Sequence, residues 1–181
     1  MLRSCAVKVL LDNKMFYKKI YKMLDDVTPL IVDCGGLCNG ACCKSGEEIS
    51  GMYLFPGEKI MYKDMPEWAE ICESNFTYDN GRRAELIVCN GTCERYLRPL
   101  SCRIFPLIPY AKRGEKLKII MDIRAKGVCP LAKALRLKDL NPLFVKRVTQ
   151  AMNMCMKVRS IREYIYSLSE SIDDILNVFK T

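Results

Sequence analysis

The stretch Cys34-Gly35-Gly36-Leu37-Cys38-Asn39-Gly40-Ala41-Cys42-Cys43 decides how the rest of the chain is read. Four thiols fall within ten residues, separated by glycines and other small or polar residues that let the backbone turn tightly. Such a loop has little apolar surface on which to fold by itself. Thiolates this dense are stabilised by a metal ion or an iron-sulfur cluster, and the segment reads as one half of a ligand set.

The other half lies further along. Of the eleven cysteines in 181 residues, Cys89, Cys93, Cys102 and Cys129 follow the cluster, while Cys5, Cys72 and Cys155 stand alone in helical or core-like contexts. A disulfide framework and metal ligation compete to explain so many thiols, and the compartment decides between them. Lys8 and Asp12 interrupt any apolar run near the start that would be long enough for a signal peptide or a membrane span. A cytoplasmic, reducing setting is therefore expected, in which clustered cysteines act as ligands. The odd total also fits disulfides poorly.

Half of the residues are hydrophobic, enough for a core, so the cysteines do not substitute for a missing one. Histidine is absent altogether, which removes the commonest metal ligand and the commonest general base. His-rich zinc hydrolase sites and Ser-His or Cys-His catalysis are excluded with it. The formal charge of +8 overstates the basicity. Two four-thiolate sites, each about −2 around a divalent ion, would bring it to roughly +4. No nucleic-acid module accompanies that charge, and none is expected to be bound.

An α+β fold follows from the order of patterns. Ala6, Val9, Leu10, Phe16, Ile20 and Leu24 recur at helical spacing and predict an N-terminal amphipathic helix ended by Thr28-Pro29. Phe76 to Tyr78 and Ala84 to Val88 flank Asn80-Gly81 as a hairpin that delivers Cys89. Tyr110 and Lys116 to Ile123 bracket Arg113-Gly114-Glu115 as a second hairpin leading towards Cys129. Trp68, Ile71 and Cys72 are expected to pack under the next segment, the strands that follow. From Pro130 the pattern is helical: 131–137, a helix from Pro142 towards Val158, and a third capped by Ser160-Ile-Arg-Glu163, with a possible break at Ser171. The whole reads as a single domain, 1–181, with a metal-binding core at about 29–131 and a helical extension at about 132–181.

No Cys-x2-Cys occurs, so zinc-ribbon knuckles and the thioredoxin motif are absent, and Ala41 occupies the place a radical-SAM-type triplet would need. The pieces that are present are Cys34-x3-Cys38-x3-Cys42-Cys43, Cys89-x3-Cys93, Arg98-Pro99-x-x-Cys102-Arg103-x-Phe105-Pro106 and Cys129-Pro130-Leu131. Together they resemble the cysteine-cluster proteins of the putative zinc- or iron-chelating domain family, over more than half of the chain. The first cluster is spaced by three residues where the family form often has two. The resemblance implies chelation of zinc or iron, with an iron-sulfur cluster in some members. Flagellin lysine N-methylases are the best-defined functional relatives of that family, and they are larger than this chain.

The expected metal ligands are Cys34, Cys38, Cys42, Cys43, Cys89, Cys93, Cys102 and Cys129, enough for two four-cysteine sites, with Cys42 and Cys43 serving separate sites or one of them standing behind a ligand. Arg98 and Arg103 flank Cys102 and are candidates to donate hydrogen bonds to sulfur. An iron-sulfur cluster of the 4Fe-4S kind is the first expectation, serving electron transfer or a cluster-dependent modification. Zinc is the alternative, in a structural domain that binds a protein partner through its C-terminal helices, or in metal storage and delivery. An enzymatic role would be that of an iron-sulfur oxidoreductase or a protein lysine methyltransferase, because Glu47, Glu48 and Glu58 are singled out by no motif.

Overall fold

Helix α1 (Leu2–Leu24) lays Tyr17, Ile20, Tyr21 and Leu24 into the core and leaves Lys18, Lys19 and Lys22 in solvent. In this computed structural model the described residues are 2–44, 51–64, 66–90 and 93–178, with side chains described from residue 12. Glu47, Glu48 and the side chain of Cys5 lie outside them. The helix closes at Leu24, ahead of the expected stop, and the Asp25-Asp26 turn leads to Thr28-Pro29.

The fold is α+β, built on two small antiparallel sheets. In the first, β1 (Gly51–Tyr53), β2 (Ala69–Tyr78) and β3 (Arg82–Cys89) take the order β1-β3-β2. Gly51 lies opposite Val88, and a Cβ there would meet the Ile87 carbonyl at 2.8 Å, so this edge accepts only glycine without a shift. The β2–β3 turn runs through Asp79, Asn80 and Gly81, all at positive φ, as the Asn-Gly signal predicts.

β2 begins seven residues before the expected strand. Its alternation turns Ile71 towards the apolar cluster of Leu54, Tyr62 and Ile87, which sends Cys72 to the opposite face. Cys72 is exposed there rather than packed beneath the sheet. The second sheet pairs β4 (Leu107–Tyr110) with β5 (Lys118–Met121) around Gly114, as the pattern predicts.

Short helices α2 (Cys34–Cys38), α3 (Leu100–Ile104) and α4 (Pro130–Ala134) carry the site. The long helices α5 (Pro142–Cys155) and α6 (Arg159–Val178) complete the core. α6 runs unbroken through Ser171, because Ile172 continues the buried stripe of Ile161, Ile165 and Leu168. Glu163 does not close a capping box: its carboxylate accepts from Arg113 on the β4–β5 turn. One apolar cluster spans Tyr17 to Ile172 and includes Phe144, Met152 and Cys155. Each of these large side chains contributes about 1.5–3 kcal/mol by leaving water. No helix among the described residues is long and apolar enough to cross a membrane.

Candidate metal centre

The opening cysteine stretch folds as two tight turns. Asp33 Oδ1 accepts from the Gly35 amide at 3.1 Å and starts α2, which sets Cys34 and Cys38 one turn apart on one face. Asn39 and Gly40 then both take left-handed conformations, with φ of 51° and 64°. That bend carries the chain into a 3₁₀ turn at Ala41–Cys43, closed by Cys43 N to Gly40 O at 2.7 Å. None of these residues is fully buried.

The remaining thiols arrive from four places. Cys89 ends β3 opposite Ala69, and Cys93 follows just before the 3₁₀ turn Arg95–Leu97. Cys102 lies in the middle of α3, and Cys129 takes the N-cap position of α4, buried against Ala125 and Ala132. The 95–98 segment is pinned by Arg103, which is itself buried. Its guanidinium donates to the carbonyls of Arg98 (2.7 Å), Tyr96 (2.7 Å) and Arg95 (3.1 Å), to Asp25 (2.6 Å), and stacks on Tyr21 at 4.1 Å. Its donors therefore go to oxygen rather than sulfur, and it acts by holding the turn between Cys93 and Cys102.

Two adjoining clefts collect the cysteines. The larger is lined by Cys42, Cys43, Cys89, Cys93 and Cys102, and the smaller by Cys34, Cys38, Cys42, Cys43, Cys102 and Cys129. All eight candidate ligands line one or both, whereas Cys72 and Cys155 line neither. Cys155 is buried between helices, where burial pushes its thiol up. The shared wall is Cys42, Cys43, Cys102, Arg98 and Phe105. As placed, no three Cys, Asp or Glu side chains of the described residues stand close enough to hold an ion. Binding would have to draw the thiols inward, as sites that form together with their metal do.

The electrostatics divide the thiols in the same way. Burial raises Cys102 well above the usual thiol range, and the charges of Cys43, Cys93 and Cys89 add to it. Burial also raises Cys34, with Cys38, Asp33 and Cys129 acting in the same direction. Cys93 is raised by burial against the pull of Arg98. The Cys42 and Cys43 sulfurs lie 4.0 Å apart; their hydrogen bond lifts Cys42 and lowers Cys43, which Arg98 lowers further. A soft cation entering here displaces protons from thiols. Arg98 carries the matching positive charge: burial opposes it, but Cys93, Cys43 and Asp33 raise its pKa overall. Its Nε is buried and, among the described residues, has no hydrogen-bond partner. An orphaned N–H between two sets of thiols suits sulfur or sulfide as an acceptor.

Sequence reasoning missed the group that holds α3 in place. Glu58 is fully buried and accepts from the Leu100 amide (2.6 Å), the Phe55 amide (2.8 Å) and the Tyr21 hydroxyl (2.5 Å). The Pro56-Gly57 turn signals a bend before Glu58 but not where its carboxylate goes. Compared with known proteins, the chain matches no family model, no curated protein and no solved structure.

Proposed function

We propose that this is a metal-binding protein whose eight thiols ligate iron-sulfur chemistry, used for electron transfer or a cluster-dependent modification. The observation that carries the reading is the sorting of cysteines: every motif cysteine lines the paired clefts, and the two described cysteines outside the motifs do not. An all-thiolate donor set without histidine suits iron-sulfur ligation. Arg98 would donate to sulfur from the shared wall and offset the charge of both sites.

The clefts suggest a division of ligands. Cys43, Cys89, Cys93 and Cys102 would serve the larger, and Cys34, Cys38, Cys42 and Cys129 the smaller. The adjacent pair Cys42-Cys43 would then be split between sites. Once bound, a cluster supplies one-electron chemistry, and the chain's own residues hold it and tune its charge.

Iron, zinc and acid-labile sulfide analysis of anaerobically purified protein, with its absorption spectrum, tests this directly. Brown protein containing iron and sulfide is expected, whereas colourless protein with stoichiometric zinc and no sulfide would refute the iron-sulfur assignment. Cys34→Ser and Cys89→Ser should each remove roughly half of the bound metal, one from each site. Cys155→Ser should leave it unchanged, and equal losses in all three variants would contradict the division.

A further inference from the structure

We propose that the rim of the smaller cleft is the docking surface for an acidic electron-carrier protein. The proposal names the partner of the candidate metal centre and rests on the electron-transfer reading of it. Large apolar side chains in water are ordinary when scattered and informative when they gather. Of the seven exposed ones among the described residues, five border this cleft. Ile31 and Val32, 92% and 56% exposed, fall between the lining residues Pro29 and Asp33. Leu37 precedes the lining Cys38, and Tyr96 follows the lining Arg95. Leu143 comes just after Asn141, whose amide donates to the Pro29 carbonyl at 2.8 Å. Met15 and Val178, the other two, adjoin no lining residue.

Hydrogen bonds hold this collar in shape. Thr28 Oγ1 donates to the Leu30 carbonyl at 2.5 Å and reaches the Val32 carbonyl at 3.3 Å. Arg95 donates to the carbonyls of Asp25 and Val27, both at 2.9 Å, which ties the Tyr96 turn to the chain leading into Ile31. An apolar ring fixed around a concave mouth fits a convex protein surface, whereas a lipid plane would meet only its edge. Charge then selects the partner. Lys44 follows the lining Cys43 and Lys133 comes just after the lining Leu131, both exposed, with Arg95 in the wall itself. Asp26 and Asp33 oppose them, and Asp25 is taken up by Arg103. The chain as a whole carries +8, or roughly +4 with both thiolate sites filled, so a second copy is repelled and an acidic partner is drawn in. Redox encounters bury little area, which suits a small apolar centre with a charged rim. One electron passes from the reduced carrier to the metal centre, with no bond made or broken.

The test titrates oxidised flavodoxin, a small acidic flavoprotein, into the intact, as-purified protein at low ionic strength, followed by calorimetry. One saturable site is expected, with an affinity that falls as salt is raised. Ile31→Ser and Tyr96→Ser, at exposed positions where the fold is insensitive, should each weaken it roughly tenfold, and Lys133→Glu roughly threefold or more. Val178→Ser should leave it unchanged. No saturable binding, unchanged affinity in both rim variants with wild-type near-UV circular dichroism, or equal loss in Val178→Ser overturns the proposal. So does pelleting with phosphatidylglycerol vesicles, or self-association in the ultracentrifuge, that disappears in Ile31→Ser; the rim would then belong to a membrane or to a second copy. Iron, sulfide and absorption measured on the same samples keep the two readings apart. Colourless zinc protein that still binds flavodoxin refutes the cluster and leaves the docking surface standing. Brown protein that dithionite bleaches but that binds no flavodoxin refutes the docking surface alone.

Discussion

Glu58→Gln is expected to change how stability depends on pH, and the direction follows from counting hydrogens. Three contacts run in a chain: Glu58 to the Tyr21 hydroxyl at 2.5 Å, Tyr21 to the Tyr62 hydroxyl at 3.2 Å, and Tyr62 to the Leu97 carbonyl at 2.8 Å. With Glu58 ionised, the two hydroxyl hydrogens serve only two of the three. A protonated carboxyl supplies the third, donating to Tyr21, which donates to Tyr62, which donates to Leu97. Burial works in the same direction and raises the Glu58 pKa from 4.5 to about 7, against the hydrogen bonds from Tyr21 and the Leu100 and Phe55 amides and the charge of Arg103.

The folded pKa is above the unfolded one, so the folded state holds a proton that the unfolded state has released between about pH 4.5 and pH 7. Stability from this group is thus full below pH 4.5, falls as pH rises through that window and is flat above it. A separation of about 2.5 in pKa, at about 1.36 kcal/mol each, gives on the order of 3 kcal/mol. Glutamine does not titrate. It can still accept from Tyr21 and Leu100, but its amide nitrogen faces the Phe55 donor, a mismatch costing about 1–3 kcal/mol. Urea unfolding of both chains, followed by far-UV circular dichroism from pH 5 to pH 8, measures the difference; the thiols titrate in both and cancel. The cost of the substitution should be largest at pH 5 and shrink by roughly 2–3 kcal/mol by pH 8. A cost that is constant with pH would show that Glu58 is ionised throughout and refute the reasoning.

Arg98→Met should weaken metal binding about 10- to 100-fold in chelator competition while leaving the unfolding midpoint of the metal-free chain nearly unchanged, since Arg98 touches the thiols and is only half-buried. An unaltered affinity would remove it from the site. Arg103→Lys should lower stability by about 2 kcal/mol in urea, because an ammonium cannot reproduce a fork shared among three carbonyls and a carboxylate. A wild-type midpoint would contradict the role assigned to that fork.

The hairpins, the terminal helices and the α+β class were legible because each rests on local chemistry: Asn80-Gly81 and Gly114 for turns, an apolar stripe for α1 and α6. What the sequence hid depends on which way a side chain points once strands pair. Cys72 looked like a core residue beside Ile71, but a strand sends neighbours to opposite faces and Ile71 took the apolar one. Arg98 and Arg103 look equivalent around Cys102. Arg98 precedes the five-residue helix α3 and Arg103 lies inside it, which leaves the Arg98 side chain among thiols and aims the Arg103 guanidinium at Asp25 and the 95–98 turn. Glu58 carries no motif, because its partners come from residues 21, 55 and 100.

The adjacent pair Cys42-Cys43 is a place where local geometry adds to what spacing leaves open. Spacing alone allows both thiols at one site. A 3₁₀ turn has three residues per turn, so consecutive side chains diverge by about a third of a circle. Set in the wall common to both clefts, the two side chains leave the backbone in different directions, although their sulfurs still meet. Their contact at 4.0 Å also ties the two clefts together electrostatically, since a proton on Cys42 stabilises the Cys43 thiolate. Among the described residues Arg98 is the one arginine lining both clefts, and it sits where that shared negative charge concentrates. A change at Arg98 should accordingly be felt at both sites, whereas a change at Cys34 or Cys89 begins at one.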